Sequence, residues 1–143
     1  MLNANIEWIG GITIQEWNES WIKIEDGICE YKPQLRRMCG IFIIRWKNKI
    51  MYIGQAVDKR GGLGKRLRDF SRASASGRSH AAGKLIYDNL DGLTVEVLIT
   101  GSDDEACGVA KELKKAMIRL LQPIWNVRHV PYRPTMRRRR RRR

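Results

Sequence analysis

The chain has 143 residues with 28 Lys and Arg against 15 Asp and Glu, a formal net charge of +13, and without the seven arginines that end it (13 − 7) the charge is still +6. This length suits one modest domain with extensions, and the charge favours a polyanionic partner, either nucleic acid or an acidic membrane surface. No stretch is apolar for long enough to span a bilayer and no signal peptide is visible, so we expect an intracellular protein without a membrane partner.

Three cysteines, Cys29, Cys39 and Cys107, form no C-x-x-C pair. An odd number of cysteines fits a reducing compartment, and we expect buried thiols. Two histidines, His80 and His129, are too few for a structural zinc site or a Ser-His-Asp hydrolase.

Residues 1–37 form an N-terminal extension that we expect to pack on the core. Trp17 and Trp21 are four residues apart, as on one side of a helix, whereas residues 21–24 equally suit a strand. An exposed tryptophan that stacks on DNA is the alternative role for this segment.

The stretch CGIFIIRWKNKIMYIG, residues 39–54, predicts a β-hairpin. Its two halves are rich in β-branched and aromatic residues, and Asn48 between them tolerates the left-handed backbone conformation of a turn. A loop of odd length centred on Asn48 pairs Trp46 with Ile50 and places Phe42 and Tyr52 on one face, because side chains alternate along a strand. Glycines at both ends of the hairpin allow another backbone or a ligand to come close.

A glycine-rich, basic segment follows, QAVDKRGGLGKRLRDFSR. It matches neither the Walker A nor the dinucleotide-binding pattern, because Lys59 and Leu67 stand where those motifs need glycine. Instead Leu63, Leu67 and Phe70 recur at helical spacing, with Arg66 at the border of the apolar stripe. The polar, basic stretch 71–79 is expected to be a mobile loop near DNA, before a short helix at residues 81–90.

Two further elements complete an α+β pattern. TVEVLIT, residues 94–100, predicts the third strand of a small, mostly antiparallel sheet flanked by helices. Ser102 and Glu105 form a capping box, and Pro123 ends the helix that follows. Its apolar stripe consists of Ala106, Val109, Ala110, Leu113, Met117, Leu120 and Leu121.

With GIF and YIG at the two ends of the hairpin and these elements in this order, residues 38–128 resemble the GIY-YIG endonuclease family. The resemblance implies a Mg²⁺-dependent (or Mn²⁺-dependent) DNA endonuclease that hydrolyses phosphodiester bonds with a single metal ion. Arg66 takes the place of the arginine that contacts the scissile phosphate, with Arg60 as the alternative. Glu112 takes the place of the metal-binding glutamate, and Asn126 that of the asparagine that supports the site.

The remaining candidate residues are alternatives for the metal, a histidine and a set of expected DNA contacts. Glu96 and Glu105 are weaker alternatives for the metal, the second because the capping box occupies it. His80 resembles a family histidine that touches phosphate or donates a proton. The expected DNA-binding residues are Arg60, Lys65, Arg68, Arg72 and Lys84.

Two positions depart from the family. Phe42 stands where the first motif has tyrosine, so the hydroxyl near the attacking water is missing, whereas Tyr52 keeps its own. Phe70 stands where several members have histidine. The nucleophile is then activated by Tyr52 or a metal-bound water, or activity is weakened, or a deliberate Tyr→Phe change traps substrate.

Two hypotheses follow, a DNA endonuclease and a non-catalytic nucleic-acid-binding module on the same scaffold. We expect duplex or branched DNA as partner, with target choice set by DNA structure, a protein partner or the N-terminal extension. DNA binding implies association with the nucleoid in the cytoplasm. Residues 129–143 are expected to be a disordered basic tail that contacts phosphates without reading sequence.

Overall fold

The structure, a computed structural model, describes residues 6–25, 32–70 and 81–126. Its strands are β1 (Trp8–Ile9), β2 (Ile12–Thr13), β3 (Ile22–Lys23), β4 (Cys39–Trp46), β5 (Lys49–Ala56) and β6 (Leu93–Gly101). Its helices are α1 (Ile14–Asn18), α2 (Gly62–Phe70), α3 (Ala81–Asp88) and α4 (Asp104–Leu121), with 3₁₀ turns at Pro33–Leu35 and Leu90–Gly92. The predicted α+β class is confirmed.

The main sheet is antiparallel, in the order β3-β6-β4-β5. The sequence predicted three of these strands, and the two-residue β3 from the N-terminal extension adds a fourth by pairing Ile22 with Val97. The other short strands, β1 and β2, pair only with each other. The glycine end of β4 therefore lies in the middle of the sheet, between β5 and β6.

The turn between β4 and β5 differs from the prediction in length. Trp46 pairs with Lys49, and the two turn residues Lys47 and Asn48 have φ of 52° and 69°, as in the type I′ turns that match the twist of a hairpin. The predicted pairing of Trp46 with Ile50 is wrong. An irregularity one step further along the ladder, where Ile44 pairs with Tyr52, restores the predicted register. Both Phe42 and Tyr52 belong to one core cluster, so the prediction that they share a face is confirmed.

The two faces of the sheet bury two separate cores. On the first, which we call the aromatic face, Phe42, Ile44 and Tyr52 pack against residues of α2 and α3. On the second, the aliphatic face, Ile41, Ile43 and Ile53 pack against α4 together with Ile9 and Trp17 of the extension. This division follows from the alternation of side chains along β4 and β5.

Helix α4 begins one residue later than its sequence predicted. Asp103, not Ser102, is the N-cap, and its side chain accepts a hydrogen bond from the backbone N–H of Ala106 at 2.8 Å. The predicted stripe is right at Ala106, Ala110, Leu113 and Met117. It is wrong at Leu120, which is 52% exposed, whereas Ala116 and Ile118 are buried instead. None of the helices in the described ranges is long and apolar enough to cross a membrane.

The cysteines also differ from the prediction. Cys39, at the start of β4, and Cys107, in the first turns of α4, are joined in a disulfide with a Cα–Cα distance of 5.4 Å. The expectation of separate buried thiols is therefore wrong for this pair. The bond fixes the first residue of the hairpin to the helix on the aliphatic face.

Candidate active site

Three aromatic rings meet at the glycine end of the hairpin. The ring centroids of Phe42 and Tyr52 are 6.0 Å apart, and Phe70 of α2 lies 5.6 Å from Phe42 and 6.2 Å from Tyr52. Phe42 is fully buried, and Tyr52 retains 7% exposure. Edge-to-face packing of this kind orients each ring, so the Tyr52 hydroxyl has a fixed position.

Each signature glycine is explained by a close approach. A Cβ on Gly40 would meet the carbonyl oxygen of Leu98 on the neighbouring strand. A Cβ on Gly54 would clash with the Phe42 ring and lie 2.8 Å from Cε2 of Tyr52. The expectation that these glycines admit a neighbouring group is confirmed, and that group is protein in both cases.

Arg66 lies over this aromatic cluster. Its guanidinium carbon is 5.2 Å from the centroid of Phe70, a cation–π distance, and the side chain is half-buried. Its Nε is buried and bonds no acceptor in the described part of the chain. A buried donor without a partner costs free energy, and an anion that accepts from it removes that cost. By contrast Arg60 is exposed in the turn before α2, where its backbone N–H bonds the Asp58 carboxylate.

Glu112 lies on α4, which packs on the face of the sheet opposite to α2. It is exposed on α4, one turn from Val109, and Val109 packs against Gly10 in the N-terminal extension. Cys107 lies on the flank of α4 nearest the loop after β5, because its sulfur is 3.4 Å from the carbonyl oxygen of Val57. Glu112 follows Cys107 by five residues, about 140° around the helix. Glu112 therefore lies on the flank of α4 that carries Val109 and faces the extension.

The two weaker alternatives for the metal are also placed away from Arg66. Glu96 lies on β6 opposite Ile43, towards the far end of the hairpin, and pairs with Arg45 at 3.0 Å. Glu105 is exposed one heptad before Glu112, and because Asp103 is the N-cap, it does not form the predicted capping box with Ser102. Among the residues that the structure describes, no group of three His, Cys, Asp or Glu side chains is arranged to hold a metal ion.

Asn126 is buried and forms a two-point contact with the edge of the sheet. Its Oδ1 accepts from the backbone N–H of Ile53 at 2.9 Å, and its Nδ2 donates to the carbonyl of Ile53 at 2.8 Å. Trp125 adds a bond from its N–H to the carbonyl of Met51 at 2.6 Å. Asn126 therefore holds the chain after α4 against the strand that carries Tyr52, and its contact to that strand is structural.

The expected DNA-binding residues are partly engaged in ion pairs. Lys65 pairs with Asp69 at 2.9 Å, and Lys84 with Asp88 at 3.1 Å, each across one helical turn. Such pairs leave ammonium groups at the surface and are worth about 0.3–0.5 kcal/mol. Arg68 is half-buried on α2, whereas Arg72 and His80 lie outside the described residues, as do the loop 71–79 and the tail.

A basic surface that the sequence reasoning missed adjoins α2. Arg36 and Arg37 are exposed immediately before the hairpin, and the adjacent pair in QLRRM was the available signal. Lys59, in the loop after β5, pairs with Asp104 at the start of α4. The hydrogen bond and attraction between them raise the pKa of Lys59 and lower the pKa of Asp104.

Three solved structures that are similar to this chain are forms of one domain. The chain resembles the GIY-YIG endonuclease domain of UvrC. The magnesium-bound form of this N-terminal domain from Thermotoga maritima aligns over 71% of this chain and 93% of its own, at 22% identity and a TM-score of 0.47. Two tyrosine-to-phenylalanine point mutants of the domain, each bound to its catalytic divalent cation, align over 64% of this chain and 86% of theirs, at 25% identity and 0.45. No protein-family model and no curated protein matches the chain.

The GIY-YIG-like features therefore divide into two groups. Phe42, Tyr52 and Arg66 come together around Phe70. Glu112 does not join them in the described structure, and Asn126 reaches the site only through the backbone of Ile53. The catalytic and metal-binding roles of these residues stay predictions.

Proposed function

We propose that this chain is a DNA endonuclease of the GIY-YIG type, which hydrolyses phosphodiester bonds at the glycine end of the hairpin. The observation that supports it most is the position of Arg66, a half-buried guanidinium over Phe70 whose Nε has no acceptor among the described residues. The Tyr52 hydroxyl belongs to the same aromatic cluster. A cation and a phenol that contact the same ring can bind a phosphate and polarise a nearby water.

Arg66 would bind the phosphate that is cut. Phosphodiester hydrolysis adds negative charge to the equatorial oxygens in the transition state, and a guanidinium offers two parallel N–H donors to them. Packing on Phe70 limits the rotamers of Arg66 before substrate arrives. Less conformational entropy is then lost when the contact forms.

Tyr52 would orient the attacking water through its hydroxyl, because Phe42 offers none. Phe42 is fully buried between Tyr52 and Phe70, and its ring fills the space next to Gly54. Its contribution is to hold the Tyr52 ring in place. Asn126 supports the strand of Tyr52 from its other edge.

The divalent cation that the resemblance implies does not fit the described residues. Glu112 has the hard oxygen ligands that Mg²⁺ prefers, but its flank of α4 faces the extension rather than Arg66. We therefore assign no step to a metal ion. The requirement for Mg²⁺ or Mn²⁺ is decided by assay with each ion and with EDTA.

A non-catalytic DNA-binding module is the second candidate. The absence of a hydroxyl at Phe42 and the position of Glu112 both favour it. On this alternative Arg66 binds a phosphate without cutting the strand.

Cleavage of supercoiled and branched DNA tests the proposal. We expect Arg66→Gln to lower the cleavage rate by about 100-fold or more, because it removes a charged contact that strengthens in the transition state. Arg119→Gln is the matched control, since Arg119 lies on α4 and pairs with Glu7 at 3.0 Å on the aliphatic side. It removes the same charge and should leave cleavage within a factor of two. Equal losses in the two variants would contradict a specific role for Arg66.

Glu112→Gln and Phe42→Tyr separate the two candidates. A loss of Mg²⁺-dependent cleavage in Glu112→Gln, with Glu19→Gln as an exposed carboxylate control, would establish the metal role and require α4 to present Glu112 to the substrate. Cleavage that appears only in Phe42→Tyr would identify the missing hydroxyl as the defect. Binding without cleavage in every variant and with every ion would replace the endonuclease by the binding module.

A further inference from the structure

Two loops that are distant in sequence are paired beside the start of α2. The Arg37 N–H donates to the carbonyl of Gly61 at 3.3 Å, and the Leu63 N–H donates to the carbonyl of Met38 at 2.8 Å. An antiparallel bridge joins Arg36 to Gly62 between these two bonds. Arg36 and Arg37 are thereby fixed next to the turn that carries Arg60, and we call these three residues the arginine collar.

Arg37 has a backbone conformation that is unfavourable for its residue type. Its φ is 66°, in the left-handed region, where residues with a Cβ cost more than glycine. Its N–H is bonded to Gly61, so this conformation is fixed by the loop pairing. An exposed arginine at a position that glycine would occupy at lower free energy points to a use for its side chain.

The collar differs from the neighbouring cations because its charges are not neutralised. Lys59 pairs with Asp104, and Lys65 with Asp69. In the described ranges no ion pair engages Arg36, Arg37 or Arg60, and all three are exposed. Three unpaired guanidinium groups on two linked loops create a local positive potential that attracts a polyanion.

The first two backbone N–H groups of α2 do not supply this binding. The Gly62 N–H donates to the carbonyl of Asp58 at 2.7 Å, and that of Leu63 is occupied by Met38. A phosphate at this end of the helix would therefore be held by side chains. Gly62 itself has φ of 62°, and a Cβ there would lie 2.5 Å from the Met38 N, so the glycine serves the loop pairing.

We propose that the arginine collar binds the phosphate backbone of a nucleic acid strand and leads it towards Arg66. Gly62, which the bridge pairs with Arg36, precedes Arg66 by about one turn of α2, so a strand held by the collar lies near Arg66. The inference rests on the proposed function only for the identity of the ligand as DNA. It adds Arg36 and Arg37 to the residues that contact it, and it holds whether or not the strand is cut.

Arg37→Gly gives the sharpest test. Glycine relieves the left-handed strain, so the melting temperature should stay unchanged or rise, whereas the affinity for DNA should fall about three-fold or more. Affinity is measured by fluorescence anisotropy of a labelled 20-base-pair duplex in EDTA, where no cleavage interferes. A residue that only shaped the loop would give no such split between stability and affinity.

The triple variant Arg36→Gln/Arg37→Gln/Arg60→Gln measures the number of contacts. The slope of log affinity against log salt should become shallower by about two to three, because each phosphate contact of duplex DNA contributes about 0.9. The control is Lys23→Gln/Lys47→Gln/Lys49→Gln, which removes the same charge from exposed residues of β3, the hairpin turn and the start of β5. Its slope should change by less than one.

The outcomes separate this inference from the proposed function. Equal losses in the triple variant and its control, or full affinity in Arg37→Gly, would overturn the collar even if the wild-type protein cuts DNA. Loss of affinity confined to the collar variants, in a protein that binds DNA without cutting it, would support the collar and refute the endonuclease. A wild-type protein that neither binds nor cuts DNA would overturn both.

Discussion

The two faces of the hairpin formed by β4 and β5 carry different kinds of residue. Ile41, Ile43 and Ile53 point to the aliphatic face, where they pack in one hydrophobic cluster with Leu113 and Met117 of α4. Phe42 and Tyr52 alternate with them and point to the aromatic face, where Arg66 covers Phe70. Neighbouring residues of the same strands are thus divided between stability and the candidate site.

Each face has a well-packed core of its own, and close packing holds the strands from both sides. The candidate-site residues Tyr52 and Arg66 belong to the aromatic side, where Tyr52 is part of the core and Arg66 lies over Phe70. Changes on the aliphatic face leave these residues untouched. Variants of the two faces should therefore separate stability from binding.

The largest effect is expected on the aliphatic face. Ile43→Ala removes a fully buried side chain, and the cavity should lower the free energy of unfolding by about 2–5 kcal/mol. Chemical denaturation measures this loss. The same change at Ile22, which is 53% exposed, should stay within about 0.5 kcal/mol. Equal losses at the two positions would contradict the burial of Ile43 in the core of the aliphatic face.

A smaller loss is expected on the aromatic face from Gly54→Ala. The added Cβ clashes with Phe42 and Tyr52, and overpacking of this kind costs about 1–3 kcal/mol. In the folded variant the displaced Tyr52 ring should also weaken cleavage. Gly108→Ala is the control, because nothing lies within 4 Å of a Cβ there and alanine favours a helix by about 0.5–1 kcal/mol. Thermal melts should therefore shift in opposite directions, and a shift of the same sign in both would contradict the close packing around Gly54.

The smallest effect concerns the ion pair beside the collar. Lys59 lowers the pKa of Asp104 below its usual value, so the pair contributes to stability above the unfolded pKa and loses that contribution as pH falls through the folded pKa. Asp104→Asn should abolish this acid-dependent part, and the melting curves of the two proteins should converge once the pH falls below the folded pKa of Asp104. Because both groups are exposed, the difference at pH 7 should be small. A difference that grew as the pH fell would contradict this account.

The sequence predicted the hairpin, α2 and α4 because their apolar residues follow the period of a strand or a helix. The sequence prediction was wrong at the hairpin turn, where two deviations from it cancel each other. The turn has two residues rather than an odd number, and the irregularity before Tyr52 returns the ladder to the predicted register. Nothing in the composition of IMYIG indicates a bulge. The predicted pairing of Ile44 with Tyr52 is right because this bulge offsets the wrong turn length.

The candidate site was predictable where its residues lie on a single helix or on two strands joined by a short turn. Arg66 and Phe70 share α2, and the hairpin pattern places Phe42 beside Tyr52. The direction of Glu112 was not predictable, because it depends on which flank of α4 meets Gly10 and which meets Val57. Arg36 and Arg37 were missed because only the pairing of residues 36–38 with 61–63 brings them to α2.

The contact of Asn126 with Ile53 has a further consequence for the behaviour of the folded chain in solution. β5 is the last strand of its sheet, and an open edge rich in isoleucine is a template for aggregation. The N–H groups of Ile124 and Trp125 bond Ile50 and Met51, and the Asn126 amide imitates the next rung at Ile53. The strand that carries YIG is therefore shielded by its own chain from pairing with the edge of another molecule.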